Sequence, residues 1–284
     1  MYESYYGLRE KPFALVPDPA FLYPSRHHQF ALMIMEYAIL NRAGFSLLTG
    51  EVGSGKTTLV RQLLGKLKSD IRVGLITNTN RHFGKLLQWV CLAYGLEYRN
   101  KDDAELYQTF VDFLVDTYAA GQRALLIVDE AQNLDALMLE ELRVLSNINA
   151  DKHLVLQTIL VGQPELRETL RRADLRQLAQ RIGADYHLPA LTLQDARLYV
   201  RHRLTVAGGD PGLIDTAAID LVWTRSGGVP RLVNQLCDTA LVYGFADQRE
   251  RIDLELMAQV VKDRADGGVL PMFGSEASLP AVTI

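Results

Sequence analysis

A glycine-rich segment constrains this chain more than any other feature of its sequence. The residues GEVGSGKT, positions 50–57, fit the spacing G-x-x-x-x-G-K-[ST] at every defined position. The apolar run GFSLLTG leads into this segment and predicts a buried strand. Leucines and a valine recur on one face of the residues that follow and predict a helix. A strand, a glycine loop and a helix in this order predict a phosphate-binding loop.

The loop predicts how a nucleotide is held. Glycines let backbone N–H groups turn toward an anion, and the positive end of the next helix adds to the attraction. We expect Lys56 to reach the β- and γ-phosphates of ATP, and Thr57 to hold Mg²⁺ through its hydroxyl. The predicted nucleotide-binding residues are Gly50, Glu51, Val52, Gly53, Ser54, Gly55, Lys56, Thr57 and Thr58.

A second motif, LLIVDEAQ at 125–132, predicts the acids that hydrolysis needs. Asp129 follows four apolar residues of a predicted strand, where a carboxylate binds the metal through water. Glu130 is the predicted base that orients and polarises the attacking water. A small-molecule kinase uses the same kind of loop. The adjacent acids and the helical second domain described below favour hydrolysis of a nucleoside triphosphate.

Two further side chains are predicted to sense the γ-phosphate. Gln163 ends the apolar run TILVGQ, and an amide there can sense phosphate and water; the alternative is a glutamine in a turn before Pro164. In GGVPRLVNQL, Pro230 suits the first turn of a helix, and Arg231 projects from that turn. A planar cation on a mobile domain suits a phosphate, and the alternative is an ordinary surface arginine.

Strands and helices alternate over residues 27–191, which predicts an α/β domain with a mostly parallel five-stranded sheet covered on both faces. Only helices are predicted over 192–265, as a small second domain or lid. Prolines and aromatic residues in 1–26 predict an N-terminal arm. Residues 266–284 predict a disordered tail, and the alternative there is a docking peptide around 270–273.

The individual elements follow from apolar periodicity. The predicted strands are 44–50, 72–78, 124–132, 153–163 and 184–191. The predicted helices beyond the one after the loop are 28–42, 82–95, 103–120, 136–149, 164–172, 175–182, 193–207, 216–226, 229–247 and 253–264.

Composition limits the binding partners and the cellular location that we expect for this chain. The net charge of −4 and the isoelectric point near 5.9 imply no general attraction to nucleic acid or to anionic membranes. Cys91 and Cys237 lie in apolar helical runs and are predicted core residues, which fits a reducing cytoplasm. The adjacent His27 and His28 are predicted to lie at the surface or to cap a helix. Without a signal-like N-terminus or a long apolar run, we expect a cytoplasmic protein that reaches the inner membrane only through partners.

The order of these motifs resembles that of an AAA+ ATPase. The segments GLREKPFALVPDPAFLYPS, GFSLLTGEVGSGKTTL, LLIVDEAQNL and LVGQPELRETL resemble, more narrowly, the general secretion pathway protein A ATPases and their relatives at pilus, exosortase and exopolysaccharide loci. The resemblance covers residues 1 to about 265. It implies an oligomeric ATPase that drives or regulates assembly of a secretion or cell-envelope export system.

The same resemblance has two finer consequences. Longer members add a membrane helix and a peptidoglycan-binding domain, and this chain carries neither, so we expect the short cytoplasmic type that acts through partner proteins. AAA+ oligomers also complete each site with an arginine from the neighbouring subunit. Arg181 is the predicted arginine in trans, and Arg176 is the reserve.

Two other functions stay open from the sequence. One is a DNA-binding AAA+ regulator of the transposition-helper type, whose basic face would include some arginines of 167–203. Most of those arginines are predicted to lie on solvated helix faces or in ion pairs. The other is a nucleotide-gated switch that binds ATP but hardly turns it over.

Overall fold

The chain divides into two compact units. The structure is a computed structural model that describes residues 1–77, 85–150 and 153–267. The first of the two units, here called the sheet unit, comprises the described residues of 26–50 and 60–188. The second unit, here called the helical unit, comprises the described residues of 1–25, 51–59 and 189–284. The predicted division into arm, ATPase domain, lid and tail remains a prediction, and the tail from residue 268 lies outside the described residues.

The sheet unit contains the predicted parallel five-stranded sheet. Its strands lie in the order β2-β3-β6-β1-β7, and every neighbouring pair is parallel. The other two strands, β4 and β5, form a separate antiparallel pair. The strands are β1 Phe45–Gly50, β2 Ile71–Ile76, β3 Arg123–Val128, β4 Asn149–Ala150, β5 His153–Leu154, β6 Leu156–Gly162 and β7 Ile182–Leu188.

Position in the sheet explains the composition of each strand. Every residue of β1 and β6 is buried, and so is every residue of β3 after the first, because helices cover both faces of the sheet centre. The edge strands β2 and β7 alternate more exposed with less exposed residues instead. Apolar runs in the sequence therefore identify the central strands, while the edge strands carry a weaker signal.

Eleven α-helices lie in the described residues, and capping residues define several of their ends. Asp102 begins α4 by accepting a hydrogen bond from the Glu105 N–H, and Asp135 and Thr192 begin α5 and α8 in the same way. The helices are α1 Arg26–Leu40, α2 Lys56–Lys66, α3 Leu86–Ala93, α4 Asp103–Ala119, α5 Ala136–Leu145, α6 Pro164–Leu170, α7 Arg176–Ala179, α8 Leu193–Val206, α9 Thr216–Ser226, α10 Pro230–Ala246 and α11 Leu254–Gly267.

Some element boundaries differ from the sequence-based ones. Helix α5 ends four residues early, because the Ser146 hydroxyl donates to the Arg143 carbonyl oxygen at 2.6 Å and caps the last turn. The predicted strand 153–163 is two strands, β5 and β6. Strand β7 begins at Ile182 and ends at Leu188, because Pro189 has no N–H for the ladder.

The N-terminal residues belong to the core of the helical unit. Leu8 and Phe13 are buried in one apolar cluster with side chains of α8 to α11. The buried Arg203 guanidinium on α8 donates to the carbonyl oxygens of Pro12 and Ala14 and lies over an aromatic ring of the same segment. The aromatic arm is thus packed against the helices.

Predictions for the cysteines and histidines have mixed outcomes. Cys91 and Cys237 are fully buried, as predicted, and burial raises the pKa of both thiols. The surface prediction is wrong for His28, because α1 turns this side chain onto its buried face, where it is 6% exposed. His27 is half-buried, and its Nδ1 lies 2.9 Å from the Tyr186 hydroxyl.

Candidate nucleotide-binding site

The glycine loop has a conformation that its glycines make accessible. Strand β1 ends at Gly50, and the loop continues to the first residue of α2. Gly53 and Gly55 have φ angles of +80° and +101°, a region that side-chain-bearing residues rarely adopt. Alternating turns of this kind direct successive backbone N–H groups to one side, which suits an anion.

The loop lysine lies against the loop itself. Lys56 is the first residue of α2 and is 6% exposed. Its ammonium donates to the carbonyl oxygen of Glu51 at 2.9 Å. Thr57 and Thr58 follow in the first turn and are half-buried. A helix N-terminus, a lysine and a hydroxyl therefore converge at one loop, and this donor set fits a phosphate with its magnesium ion.

Helix α10 begins directly on this loop, and both lie in the helical unit. The Arg231 N–H donates to the Gly53 carbonyl oxygen at 3.2 Å. A Cβ atom added to Gly53 would lie 2.4 Å from the Arg231 Cβ, so only glycine permits this approach. The Arg231 side chain is exposed, and no hydrogen bond or ion pair of its guanidinium occurs in the described residues. Arg231, the arginine predicted to sense the γ-phosphate, thus lies beside the glycine loop.

A two-glycine turn sets where α10 begins. Gly227 and Gly228 both have positive φ angles, +58° and +73°. A Cβ at Gly228 would lie 2.3 Å from the Leu191 carbonyl oxygen, and the Leu191 N–H donates to the Gly228 carbonyl oxygen at 2.9 Å. The Trp223 indole N–H donates to the same Leu191 oxygen at 2.8 Å. This turn brings Pro230 into the first turn of α10.

The predicted acid pair lies at the end of β3. Asp129 is 5% exposed, and its carboxylate accepts the backbone N–H of Glu130 at 2.9 Å. Glu130 has left-handed backbone angles, φ 54° and ψ 37°, which are uncommon for a residue with a side chain. The backbone therefore turns sharply at Glu130, and the strand ends at Val128 rather than at the predicted residue 132.

Neighbouring strand ends bring Gln163 to this acid. Strands β3 and β6 are adjacent and parallel, so residues after each of them meet at one edge of the sheet. The Gln163 amide nitrogen lies 3.4 Å from Glu130 Oε2, and Gln163 is the N-cap of α6. Strand β1, which leads into the glycine loop, pairs with the other side of β6 and ends at the same edge.

Sequence reasoning did not assign a role to Gln132, which joins this group. Its side-chain nitrogen donates to Glu130 Oε2 at 2.5 Å, and its side-chain oxygen accepts the Gln163 backbone N–H at 3.0 Å. The signal was present in the sequence as the amide of DEAQ, two residues after the predicted base. Its contact with Gln163 depends on the pairing of β3 with β6, which the sequence alone does not specify.

The two arginines considered for a neighbouring subunit have different surroundings. Arg181 donates to the Ser146 hydroxyl at 2.8 Å and to the Arg143 carbonyl oxygen at 3.5 Å. Arg176 is exposed on α7, and no hydrogen bond or ion pair of its guanidinium occurs in the described residues. The role of both arginines in trans stays a prediction.

Comparison with solved structures identifies the fold. The structure resembles the Aeropyrum pernix ORC2 protein in its ADPNP-ADP complexes, with a TM-score of 0.66, 19% identity, and coverage of 89% of this chain and 71% of that chain. It also resembles Cdc6p from Pyrobaculum aerophilum, with a TM-score of 0.68, 17% identity, and coverage of 87% and 71%. The RuvB Holliday junction branch migration motor of Thermotoga maritima matches with a TM-score of 0.53, 17% identity, and coverage of 88% and 73%.

The parallel sheet, the glycine loop and these fold relatives define a P-loop protein of the AAA+ class. A family model described as an AAA domain matches residues 39–170, which contain the loop and the acid pair. The chain belongs to the general secretion pathway protein A family. It is 42% identical over 272 residues to general secretion pathway protein A of Aeromonas hydrophila, which covers 94% of this chain and 50% of that protein. The chain thus spans about half the length of this relative.

Within residues 1–77, 85–150 and 153–267, no helix combines the length and the apolar character that crossing a bilayer requires.

Proposed function

We propose that this chain binds ATP with Mg²⁺ and hydrolyses it. The observation that supports this function best is the contact of α10 with the glycine loop. The loop supplies backbone N–H groups and Lys56, and α10 adds the exposed guanidinium of Arg231 beside Gly53. Backbone donors, an ammonium and a guanidinium around one loop suit a triphosphate better than a single phosphate.

In this proposal each polar residue has one role. Lys56 binds the β- and γ-phosphates, and the Thr57 hydroxyl and the Asp129 carboxylate are ligands of Mg²⁺, whose other ligands are phosphate oxygens and water. Glu130 accepts a proton from the attacking water. Arg231 binds the γ-phosphate and responds to its loss. Gln163 lies within reach of Glu130 and helps to orient the water.

We extend the proposal to the biological role from the family relationship. A relative named general secretion pathway protein A, at 42% identity, supports a role in driving or regulating the assembly of a secretion or cell-envelope export system. The chain acts there as an oligomer and contacts the inner membrane through partner proteins. An arginine from the neighbouring subunit, Arg181 or Arg176, completes each site.

Ion pairing of the arginines disfavours the DNA-binding alternative. Arg167, Arg172 and Arg197 lie 2.7, 2.8 and 2.6 Å from aspartate oxygens of the same chain, and Arg203 is buried against the N-terminal residues. Arginines that are already paired contribute little to a basic surface that would release counterions from DNA. DNA stimulation is therefore kept as an outcome of the test.

Steady-state ATP turnover, measured against protein concentration with and without duplex DNA, tests this function. We expect turnover per chain to rise with concentration and to be insensitive to DNA. Stimulation that depends on DNA would favour the regulator. Tight ATP binding without phosphate release at any concentration would favour the nucleotide-gated switch.

The Glu130→Gln variant tests the proposed base in the same assay. We expect wild-type ATP affinity and turnover reduced at least about hundredfold, because the amide cannot accept the proton. Glu168→Gln, an exposed change on α6, is the control and should keep wild-type turnover. Wild-type turnover by Glu130→Gln would show that another group is the base.

A further inference from the structure

The ends of β3 and β6 carry a network of three polar side chains, Glu130, Gln132 and Gln163. Two amides, from Gln132 and Gln163, donate to the same oxygen of Glu130, at 2.5 and 3.4 Å. Gln132 also accepts the backbone N–H of Gln163 at 3.0 Å. A single side chain therefore links the carboxylate to the backbone of the neighbouring strand end.

The space for Gln132 comes from a glycine. Gly162 is the last residue of β6, and a Cβ atom added there would lie 2.9 Å from the Gln132 side-chain oxygen and 2.8 Å from Leu166 Cδ2. A larger residue would displace the amide from the Gln163 N–H. The close approach of the amide to the strand end is thus a property of this local sequence, LVGQP, as well as of DEAQ.

Glu130 needs such a partner because its own side chain is long and rotatable. The left-handed backbone at Glu130 sets where the side chain begins, and the carboxylate lies three bonds farther out. A hydrogen-bond donor anchored at a second point of the sheet can limit its orientation. Gln132 is anchored in this way, since its oxygen is held by the β6 end while its nitrogen holds the carboxylate.

We propose that Gln132 is a positioning residue, which orients the Glu130 carboxylate for its work on the attacking water. This inference rests on the proposed ATPase function. The side-chain nitrogen of Gln132 does the orienting, and its side-chain oxygen provides the fixed point. Gln132 is not assigned any contact with the nucleotide, so its loss should slow turnover without weakening substrate binding.

Two variants of Gln132 separate orientation from structural support. Gln132→Glu keeps an oxygen for the Gln163 N–H but replaces the donor to Glu130 with a second carboxylate, which repels it. Gln132→Leu removes both hydrogen bonds. We expect each variant to lower kcat at least about tenfold, with KM for ATP within about twofold of wild type.

The measurement is steady-state ATP turnover together with ATP affinity from a fluorescent-nucleotide titration, which also shows that each variant is folded. Gln194→Leu, an exposed change on α8, is the matched control and should leave kcat unchanged. Wild-type kcat in Gln132→Glu would overturn the inference, because it would show that the bridge to Gln163 is all that matters.

Comparison with Glu130→Gln distinguishes the inference from the function on which it rests. If Glu130→Gln is inactive and both Gln132 variants turn over at the wild-type rate, only the inference fails. If Glu130→Gln is active, the proposed base fails and the inference fails with it. A residue that acts through Glu130 should add no further loss, so Glu130→Gln with Gln132→Leu should equal Glu130→Gln alone. An additional tenfold loss in the double variant would contradict the inference.

Discussion

At the scale of single residues, Lys56 shows how a buried charge is stabilised in this chain. The ammonium of a lysine that is 6% exposed needs oxygen atoms around it, and the Glu51 carbonyl oxygen is one of them. The carbonyl belongs to the same loop, so the charge lies where we propose that phosphate oxygens bind. Its position follows from the loop turning back on itself at Gly53 and Gly55.

We therefore predict that Lys56→Ala weakens ATP binding at least about tenfold, because a hydrogen bond to a charged group contributes about 1.5–3 kcal/mol. Titration with a fluorescent nucleotide measures this. Lys66→Ala is the matched control, since Lys66 lies on the same helix in an exposed ion pair with Glu36 at 2.9 Å. Equal ATP affinity in the two variants would contradict the assignment of Lys56.

At the scale of elements, the helical unit depends on close approaches between α10 and the loop. Gly53 is the point of contact, because its missing side chain lets Arg231 approach and its φ of +80° suits glycine. A helix that begins on a phosphate-binding loop can respond to what the loop holds. Under the proposed function, this contact would connect nucleotide binding with the position of α10.

Gly53→Ala should destabilise the protein by about 1–3 kcal/mol, because the residue would be strained and its Cβ would collide with the Arg231 Cβ. Gly65→Ala is the matched control on α2, where no atom lies within 4 Å of the added carbon, and should stabilise by about 0.5–1 kcal/mol. Urea unfolding followed by circular dichroism gives both values. An unchanged free energy of unfolding in Gly53→Ala would mean that α10 does not depend on this close approach.

Helix α8 carries a histidine that should make stability depend on pH. Burial lowers the pKa of His202 below its usual 6.5, and the neighbouring Arg203 charge lowers it further. Its buried Nε2 has no hydrogen-bond partner in the described residues, so a proton there would be poorly solvated. The unfolded chain therefore binds this proton more tightly than the folded one.

The direction of the pH effect on stability follows from this difference in proton affinity between the unfolded and the folded chain. As pH falls below about 6.5, the unfolded state takes up the proton first, so the free energy of unfolding falls until the folded-state pKa is reached. Above 6.5 this contribution is constant. We predict that His202→Gln reduces the dependence on pH, measured as unfolding midpoints between about pH 5 and 7.5. If the unfolding midpoint of the variant changed with pH as steeply as that of the wild type, His202 would be excluded as the source of the pH dependence.

At the scale of the whole molecule, the proposed oligomer makes one subunit depend on the next. Arg176 is exposed and Arg181 is bonded within its own chain, so exposure favours Arg176 as the arginine offered to a neighbour. Each site would then combine a loop from one chain with an arginine from another. Such sites can be rebuilt from two defective chains.

We predict that Lys56→Ala and Arg176→Ala are each nearly inactive, and that their mixture turns over ATP several-fold faster than the sum of the two alone. The mixed oligomer contains sites with an intact loop and an intact neighbouring arginine. The same experiment with Arg181→Ala decides between the two arginines. Activity equal to the sum in both mixtures would show that neither arginine acts in trans.

The sequence by itself determined the features that depend on local backbone chemistry. The glycine spacing of 50–57 specifies a loop that only glycines allow, and buried apolar runs identify the central strands of the parallel sheet. Capping residues such as Asp102 and Asp135 place helix starts within a residue or two. These signals lie within a few positions of the residues they describe, so they can be interpreted without knowing the fold.

The tertiary structure decided what depends on neighbours far apart in the chain. Only strand order places Gln163 beside Glu130 and Gln132, and only packing shows that Arg231, in the first turn of α10, lies on Gly53, 178 positions earlier in the sequence. The burial of His28 was likewise invisible, because the face that a helix buries depends on what packs against it. Such contacts arise from the mutual exclusion of water by distant segments, which periodicity within one segment cannot specify.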